Sequence, residues 1–431
     1  MTERLWDLLV SPRVGLVTDL SPQYRGPEEP VPPYLYTSTL AHFDFRLAPR
    51  QERLNAGKGR TEEEAKLSAL DEAVERYSAY HWDPARTWVG LPEGGAITPL
   101  DCVLYTEEQY CQDSWRYRRW TPETETTWIR GVELSSSDPV ALPAALVYLI
   151  QPMPRVEDQY ISVTSNGLAA GLTLTRAILA GLYEVIERDA LMITWLNRLP
   201  ATEIKIPEGG CHSASIIRHY HRFGVTVRLL KLATDQLPTV VMAVADETDP
   251  IQPARVIGMG CDIDPVVACD KAVFELCQAR PSQASRFREK PPAGRIQTYK
   301  DVVDLDDHPA FHSLHKNLHE FDFLTAGGCK ITLAEMDSQG SGDAETVLSR
   351  IVSRLHNTGA RAAYAEITTP DVASAGFHVV RAIATGLQPI HFGWREARLG
   401  GQRLFNAPMT WGLADRPLAM DMLNPCPHPL A

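Results

Sequence analysis

Two segments of the sequence carry the same spacing of acidic and basic residues, ExxER, at 72–76 and 184–188. On a helix, residues three and four apart share a face, so each segment places two carboxylates beside a guanidinium. A single pattern of this kind is typical of a solvated helix face. Two copies bring together carboxylates that repel each other without a cation, and Mg²⁺ prefers such oxygen ligands. The sequence therefore predicts a Mg²⁺ and nucleotide site whose metal ligands are Glu72, Glu75, Glu184 and Glu187.

The first pattern follows a glycine-bearing segment, Gly-Lys-Gly at 57–59. Thr61 and Glu64 have the spacing of a capping box, which predicts that a helix begins here. Backbone N–H groups in a glycine turn at a helix start can hold an anion, and Lys58 adds a positive charge. Taken alone, the segment is more typical of a tight turn, and it lacks the spacing of a Walker A loop. Ser68 lies one turn before the acidic residues and can share their face.

The second pattern lies within a long segment, 174–193, whose apolar residues recur at helical spacing. A loop of small residues at 165–171 precedes this segment, and either Thr173 or Thr175 can cap the helix. The pattern predicts a loop that leads directly into a helix.

A third helix is predicted to begin at the Asp-Pro pair 264–265. Lys271, Glu275 and Gln278 fall on one stripe of this helix. Arg280 lies near its end, where a basic residue by itself is most simply explained as complementing the helix dipole.

Four histidines occur close together, at 308, 312, 315 and 319. Three of them could line one helix, so a metal site is one interpretation. We favour an exposed helix instead, because no combined carboxylate and histidine motif accompanies them.

Composition excludes several classes of protein. The 431-residue chain has a net charge of −12 and no offsetting basic tract, which argues against a nucleic-acid partner. It lacks an apolar run of about eighteen residues and a signal-peptide pattern, so we expect no membrane partner. Eight cysteines occur without a CxxC pair or zinc-like spacing, which predicts reduced thiols. Together these features predict a cytoplasmic protein.

Strand-like and helical segments alternate along the chain, with no linker that would divide it. We therefore expect an α/β fold in a single domain. Its predicted parts are an N-terminal element at 1–55, a catalytic core at 56–420 and a proline-rich tail at 421–431.

Both ExxER segments resemble those of a known family when they are read with their surroundings. The stretches AGKGRTEEEAKLSALDEAVERYSAYHW and TSNGLAAGLTLTRAILAGLYEVIERDALMITWLNRLP resemble the YcaO family, in particular its azoline-forming cyclodehydratase branch. Members of that branch are the D proteins of thiazole/oxazole-modified peptide biosynthesis. The opening LLVSPRVGLVTDLSP resembles the start of the same branch. The resemblance implies one large YcaO-type domain of mixed sheets packed with helices, with an ATP site between helices.

The resemblance also implies a reaction. Family members bind ATP and Mg²⁺ and phosphorylate a backbone amide oxygen of a peptide. In the azoline branch, a Cys, Ser or Thr side chain attacks the preceding carbonyl, and loss of phosphate leaves a thiazoline or oxazoline. By motif position, Arg188 would be catalytic, as would the terminal carboxylate of Ala431. The implied nucleotide-binding residues are Lys58, Ser68, Glu72, Glu75, Arg76, Glu184, Glu187, Gln278 and Arg280.

Some positions depart from the family pattern. Ala169 stands where a serine often occurs, and Arg176 stands where a glutamate often occurs, so the number of Mg²⁺ ions stays open. Two other functions stay open as well. One is a YcaO enzyme that forms a thioamide or an amidine, and the other is a non-catalytic docking subunit.

The implied partners begin with a precursor peptide as substrate. No segment resembles a peptide-clamping module, so we expect a separate E1-like or winged-helix protein to bind the leader. A flavin-dependent dehydrogenase that oxidises the azoline is a further partner that the resemblance allows, and so is a second copy of the chain in a homodimer.

The C-terminal segment has prolines at 425, 427 and 429, which favours an extended polyproline-like arm. The resemblance implies that this arm ends near the active site. Because such an arm is a poor core element, we expect its deletion to leave the melting temperature nearly unchanged. The same deletion should lower cyclisation by about tenfold or more.

Overall fold

The computed structural model describes residues 8–41, 53–150, 153–207, 209, 211–336, 338, 340 and 342–430. In these ranges the strands are β1 (Val17–Pro22), β2 (Tyr34–Leu40), β3 (Leu54–Gly59), β4 (Thr87–Gly90), β5 (Thr126–Glu133), β6 (Pro139–Pro143), β7 (Leu168–Gly171), β8 (Thr202–Lys205), β9 (Thr226–Lys231), β10 (Thr239–Asp246), β11 (Arg255–Asp262), β12 (Lys330–Thr332), β13 (Ala362–Glu366) and β14 (His378–Ala384). The helices are α1 (Glu62–Tyr80), α2 (Glu107–Tyr110), α3 (Ala144–Val147), α4 (Leu174–Leu196), α5 (His212–Arg222), α6 (Pro265–Glu289), α7 (Asp307–His312), α8 (Asp322–Thr325), α9 (Ala344–Asn357), α10 (Pro370–Ser374) and α11 (Gln402–Thr410).

The described strands form three sheets. The first is the antiparallel sheet β1-β2-β3. The second has the order β11-β10-β9-β8-β12, and in it β8 and β12 run parallel. The third has the order β4-β5-β13-β14-β7, with β6 paired to β5. This mixture of sheets and helices confirms the predicted α/β class.

Three helices connect these sheets to one region of the molecule. Helix α1 packs on β2 and β3, α4 packs on β7, β14 and β11, and α6 packs across β10 and β11. Helix α4 is the most enclosed of the three, since most of its side chains are buried, with Trp195 fully inaccessible. The ExxER residues therefore stand on helices whose other faces are held in apolar cores. None of the helices in the described ranges combines the length and the hydrophobicity needed to cross a bilayer.

The glycine segment at 57–59 lies in strand β3 and not in a turn. A Cβ atom added at Gly57 would lie 2.1 Å from the Ala69 nitrogen, and one at Gly59 would lie 2.5 Å from the Ala65 nitrogen. These glycines are needed because β3 lies directly against α1. The prediction of an anion-holding turn at this place is therefore wrong.

Candidate functional site

Both motif helices begin as their sequences predict. Thr61 caps α1, and its hydroxyl accepts a hydrogen bond from the Glu64 N–H at 3.2 Å. Helix α4 is capped by Thr173, one of the two candidates, whose hydroxyl accepts from the Arg176 N–H at 3.3 Å. Each cap fixes where its helix starts and hence which face the ExxER residues occupy.

The small-residue loop before α4 is held in a conformation that suits glycine. Gly167 has a φ of +83°, and an added Cβ would lie 2.3 Å from the Ala382 carbonyl oxygen. The buried Arg381 guanidinium donates to the carbonyls of Thr164 and Asn166, each at 2.7 Å. The loop is therefore fixed from two sides, and its Gly167 N–H points to the second motif.

Main-chain N–H groups hold one glutamate on each of the three helices. Each bond fixes one carboxylate oxygen and leaves the other for a different partner. The bonds run from Ala56 to Glu72 at 2.9 Å, from Gly167 to Glu184 at 3.3 Å and from Met259 to Glu275 at 3.3 Å.

The arginine of each motif lies beside the glutamates of the same motif. Arg76 is 3.6 Å from Glu72 and 3.9 Å from Glu75, the two motif carboxylates on α1. Arg188 is paired with Glu187 and lies 3.7 Å from Glu184. Each guanidinium therefore neutralises part of the negative charge that the duplicated motif brings together.

Burial controls the ionisation of these carboxyl groups. It raises the pKa of Glu75 well above the usual range, despite the arginine of the same motif. Burial also raises the pKa of Glu187, although Arg188 opposes the rise. Glu275 differs, because Lys58, at 3.0 Å, and Arg188 outweigh burial and lower the pKa of this carboxyl. Burial is thus the main cause of the two raised pKa values, and a bound cation would oppose it by favouring the ionised carboxylates.

Several of these groups line a cavity of about 530 Å³, which we name the central cavity. It lies between α1, α4 and α6, with the C-terminal tail on its border. Its polar and charged lining residues are Lys58, Ser68, Asp71, Glu72, Glu75, Glu184, Glu275, Gln278, Ser282 and Gln283.

A second space of about 700 Å³, the basic cavity, adjoins the central cavity. Its lining includes aromatic rings at Tyr183 and Phe274. The cations that line it are Lys58, Arg60, Arg176, Arg188 and Lys271, and its acidic lining residues are Glu64, Glu184, Glu187, Asp270 and Glu275. Both cavities are lined by Lys58, Ser68, Ala180, Glu184 and Glu275.

Most of the predicted site residues are thus brought together. Glu72, Glu75 and Gln278 line the central cavity, whereas Glu187 and Arg188 line the basic cavity. The two glutamates of the second motif therefore differ in position, since Glu184 lines both spaces. Arg76 lines neither space and reaches the site through its contacts with the α1 glutamates.

Arg280 lies apart from both cavities. Its guanidinium is buried and paired with Glu29 and Glu247, and it lies over the ring of Tyr220. These contacts connect α6 to the chain near residue 29. The structure therefore does not bring Arg280 to the predicted nucleotide site, and its geometry is that of a structural ion pair.

The tail is a buried element that reaches the central cavity. Residues 426–430 are buried, and Pro429 and Leu430 line the cavity. Carbonyls of four consecutive residues accept ring N–H donors. These bonds run from Trp394 to Pro425, from Trp195 to Cys426, from His312 to Pro427 and from His308 to His428, at 2.7 to 2.9 Å.

The interpretation of the tail as an element outside the core is therefore wrong. Cys426 and Leu430 belong to the apolar cluster around α4. Prolines lack N–H groups, so a proline-rich segment can be buried once its carbonyls find donors. Deletion of the tail should consequently destabilise the protein. Ala431 lies outside the described residues, and its catalytic role stays a prediction.

Two of the four histidines are buried, contrary to the expectation of an exposed helix. His308 and His312 hold the tail, and burial lowers their pKa values to about 4 and about 3. His319 is exposed. The buried pair is therefore neutral at physiological pH and serves as hydrogen-bond donors.

The central cavity fits Mg²⁺ by the chemistry of its donors. Its described lining residues offer carboxylate and amide oxygens, with no thiolate or imidazole among them. Within the described part of the chain, no three His, Cys, Asp or Glu side chains already lie in metal-coordinating positions. Protein carboxylates would thus supply part of the coordination shell, and phosphate or water oxygens the rest. Ala169 lines this cavity and contributes no ligand.

Sequence reasoning missed three residues of the site. Glu275 pairs with Lys58, and its place on one stripe with Gln278 was the available signal. Burial raises the pKa of Asp71 to about 7, and its Oδ1 has no hydrogen-bond partner among the residues that the structure describes. Arg381 comes from β14, far away in sequence, so no local pattern could reveal its contact with the 164–166 loop.

The fold and site thus define an α/β protein with a carboxylate-lined cavity suited to a metal-nucleotide. A family profile described as YcaO cyclodehydratase, ATP- and Mg²⁺-binding, matches residues 56–388. The match covers well over half of the sequence, and the chain belongs to the YcaO family. This confirms the predicted family and its ATP and Mg²⁺ cofactors.

Two curated relatives support this assignment. An uncharacterized protein of Methanothermobacter thermautotrophicus is 29% identical over 339 residues, which cover 77% of this chain and 81% of that protein. A protein encoded in the tfuA 3′ region of Rhizobium leguminosarum bv. trifolii is 28% identical over 258 residues, covering 55% of this chain and 57% of the relative.

Solved structures show the same fold. A heterocyclase in complex with substrate and cofactor has a TM-score of 0.82 and 25% identity, covering 100% of this chain and 57% of that one. YcaO from Methanopyrus kandleri, bound with AMPPCP and Mg²⁺, has a TM-score of 0.65 and 23% identity, covering 90% and 88%. The E. coli microcin synthetase McbBCD complex has a TM-score of 0.58 and 16% identity, covering 85% and 86%.

Proposed function

We propose that this chain is an ATP-dependent cyclodehydratase that acts on a ribosomally made precursor peptide. Its products are thiazolines from Cys and oxazolines from Ser or Thr. The observation that carries the proposal is the arrangement of the duplicated motif: Glu72, Glu75 and Glu184 line the central cavity, and Glu187 and Arg188 line the adjoining basic cavity. The similarity to a heterocyclase in complex with substrate and cofactor supports it.

In this proposal the nucleotide occupies the basic cavity and its phosphates reach the central cavity. Lys58 lines both spaces and Arg188 lines the basic one, so both can balance phosphate charge. Glu72, Glu75 and Glu184 would hold Mg²⁺ from the central cavity. The bound nucleotide supplies the phosphoryl group that makes the peptide oxygen a good leaving group.

The chain's own residues would contribute positioning and charge neutralisation, which dominate catalysis of phosphoryl transfer. Arg188, set by its pair with Glu187, would stabilise charge on the transferred group. Pro429 and Leu430 border the cavity and would limit access of water, which competes with the peptide oxygen. Ser68 and Gln278 would donate to or accept from the nucleotide.

Mass spectrometry of a candidate precursor peptide tests the proposal directly. The peptide is incubated with this protein, ATP and Mg²⁺, with and without a candidate leader-binding protein. We expect loss of one water per ring and release of ADP and phosphate. A mass change that requires added sulfide would instead indicate a thioamide-forming enzyme, and no ATP turnover with any peptide would contradict the proposal.

We further propose that leader binding belongs to a separate protein. This chain spans 57% of the heterocyclase that it resembles, so that protein contains additional polypeptide. In the E. coli microcin synthetase, a related fold is found in a complex with pro-MccB17. An E1-like or winged-helix partner is the expected leader-binding protein, and a flavin-dependent dehydrogenase and a homodimer are further possibilities. Fluorescence polarisation with a labelled leader tests this, and tight binding by this chain alone would contradict it.

A further inference from the structure

A third space, the outer groove, adjoins the central cavity at the C-terminal half of α6. Its volume is about 710 Å³. One side is formed by α6 and the other by the segment 304–313. Its polar and charged lining residues are Ser282, Gln283, Arg286, Glu289, Lys290, Arg295, Asp304, Asp306, Asp307 and Ser313.

The outer groove and the central cavity meet at one place on α6. Both are lined by Ala279, Ser282 and Gln283. Two of these three residues, Ala279 and Ser282, have small side chains and fill little of the junction. The Gln23 side chain donates to the Ser282 hydroxyl and to the Gln278 carbonyl, so a ligand that extends from the groove toward the glutamates would pass beside Gln23.

At and next to the junction lie buried hydrogen-bond acceptors that have no partner within the described part of the chain. These are the side-chain oxygens of Gln278 and Gln283, both on α6. An unpaired buried acceptor is unfavourable, so a ligand that supplies a hydrogen-bond donor gains by bonding to it.

Charges in the outer groove are arranged in pairs. Arg286 is paired with Asp306, and Arg295 is paired with Asp307. These pairs lower the field that an anionic ligand would feel. Four acidic residues line the groove, Glu289, Asp304, Asp306 and Asp307, against three basic ones, Arg286, Lys290 and Arg295, so its net charge does not favour an anion. A neutral polypeptide backbone is therefore a better match for the groove than a second phosphate-bearing ligand.

We infer that the outer groove receives the stretch of substrate polypeptide that flanks the residue being modified. The polypeptide would lie extended along the C-terminal half of α6, with Gln283 accepting a backbone N–H at the junction. The identification of this polypeptide as the enzyme's substrate rests on the proposed function. In this arrangement α6 separates the two ligands, with the nucleotide beside its N-terminal half and the polypeptide beside its C-terminal half.

Photo-crosslinking tests the location without requiring turnover. The residue p-benzoylphenylalanine replaces Lys290, which is exposed and lines the groove. The matched control replaces Arg288, which is exposed on the same helix and is not among the groove's lining residues. The probe is a synthetic pool of random short peptides with one central Cys, in the presence of Mg-ATP. We expect cross-links at 290, competed by unlabelled peptide, and few at 288. Equal labelling at both positions, or none at 290, would overturn the inference.

A second pair of variants tests the path to the glutamates. Ser282→Trp places a large ring at the junction, and Ser285→Trp places the same ring on α6 outside the groove lining. With a peptide that the wild type modifies, we expect Ser282→Trp to lower kcat/KM for the peptide about tenfold or more. The KM for ATP and the melting temperature should match those of Ser285→Trp. Equal peptide kinetics in the two variants would contradict the path. Failure of the proposed function would appear separately, as a wild type without peptide-stimulated ATP turnover, and the cross-links would still decide the location.

Discussion

The two walls of the central cavity differ in how their motif carboxylates and their amide groups are bonded, although Asp71 on α1 also has an unpaired oxygen among the described residues and Glu275 on α6 is bonded at both oxygens. On the wall formed by α1 and α4, Glu72 and Glu184 each accept a backbone N–H and lie near an arginine. On the wall formed by α6 and the tail, the side-chain oxygens of Gln278 and Gln283 have no partner. We name these the carboxylate wall and the amide wall.

This difference indicates what each wall is prepared to do. Carboxylates fixed by N–H groups need little reorganisation when a metal and phosphates bind, which is the condition for strong electrostatic stabilisation. Unpaired amide oxygens gain most from a ligand that brings its own donors. The carboxylate wall therefore suits the chemical step, and the amide wall suits the recognition of ligands.

The largest expected effect is on the carboxylate wall. Glu184→Gln removes a charge from the residue that lines both cavities, and should lower peptide-dependent ATP turnover about 1000-fold. ADP release measures this, and circular dichroism checks the fold. The control is Glu63→Gln, which changes an exposed glutamate in the first turn of α1. A loss of less than about tenfold would show that the carboxylate wall does not carry the chemistry.

On the amide wall, the tail should contribute to stability as well as to the site. Leu430 is 4% exposed and packs in the α4 cluster. Leu430→Ala should lower the free energy of unfolding by about 2–3 kcal/mol, measured by chemical denaturation. Leu413→Ala, at a position that is 43% exposed, is the control and should change little. Equal stability of both variants would restore the interpretation of the tail as a loose arm.

The hydrogen bonds from His308 and His312 to the tail should weaken at acidic pH. Burial lowers the pKa of His308 to about 4 and that of His312 to about 3, whereas an unfolded histidine has a pKa near about 6.5. The unfolded chain therefore takes up protons first as the pH falls. The stability that depends on these neutral rings is complete above about pH 6.5 and is lost as the pH falls toward about 4.

Each such histidine should contribute a slope of up to about 1.4 kcal/mol per pH unit in this window. His308→Asn should flatten the pH dependence of the unfolding free energy, measured by urea denaturation between pH 7 and 5. His319→Asn replaces an exposed histidine and should leave the slope unchanged. If His308→Asn also leaves the slope unchanged, the buried ring does not control acid stability.

The two walls also differ in how far they could be predicted from sequence. Glu72, Glu184 and their caps could be predicted because helical spacing and capping are local. The burial of Leu430 could not, since the donors that make it possible come from distant segments, such as Trp195 and His308. Arg280 shows the reverse error, because its motif position predicted a nucleotide contact and the structure gives it Glu29 and Glu247 as partners.

Strand β3, which contains Gly57 and Gly59, shows why a correctly recognised local pattern can be given a wrong explanation. Glycines before a helix are compatible with an anion-holding turn and with a close approach of backbones. Only the position of Ala65 and Ala69 beside β3 decides between these alternatives. Lys58 nevertheless lines the site, because strand alternation directs its side chain toward Glu275.

The smallest expected effects concern the two glutamines of the amide wall, Gln278 and Gln283, which should act on different ligands. Each unpaired oxygen can accept one hydrogen bond, worth about 0.5–1.5 kcal/mol, or roughly a twofold to tenfold change in affinity. Gln278 lies one turn from Glu275, which lines both cavities, whereas Gln283 lines the outer groove. We therefore expect Gln278→Ala to raise mainly the KM for ATP, and Gln283→Ala to raise mainly the KM for the peptide.

Steady-state kinetics with each substrate varied in turn measure this separation, with Gln297→Ala as the control at an exposed glutamine. Both variants should keep the wild-type melting temperature. Altered KM values would then reflect contacts with ligands and not a loss of folded protein. If both variants change the same KM, the amide wall contacts one ligand, and α6 does not separate nucleotide from peptide. If the effects are exchanged, the order of the two ligands along α6 is the reverse of the one we infer.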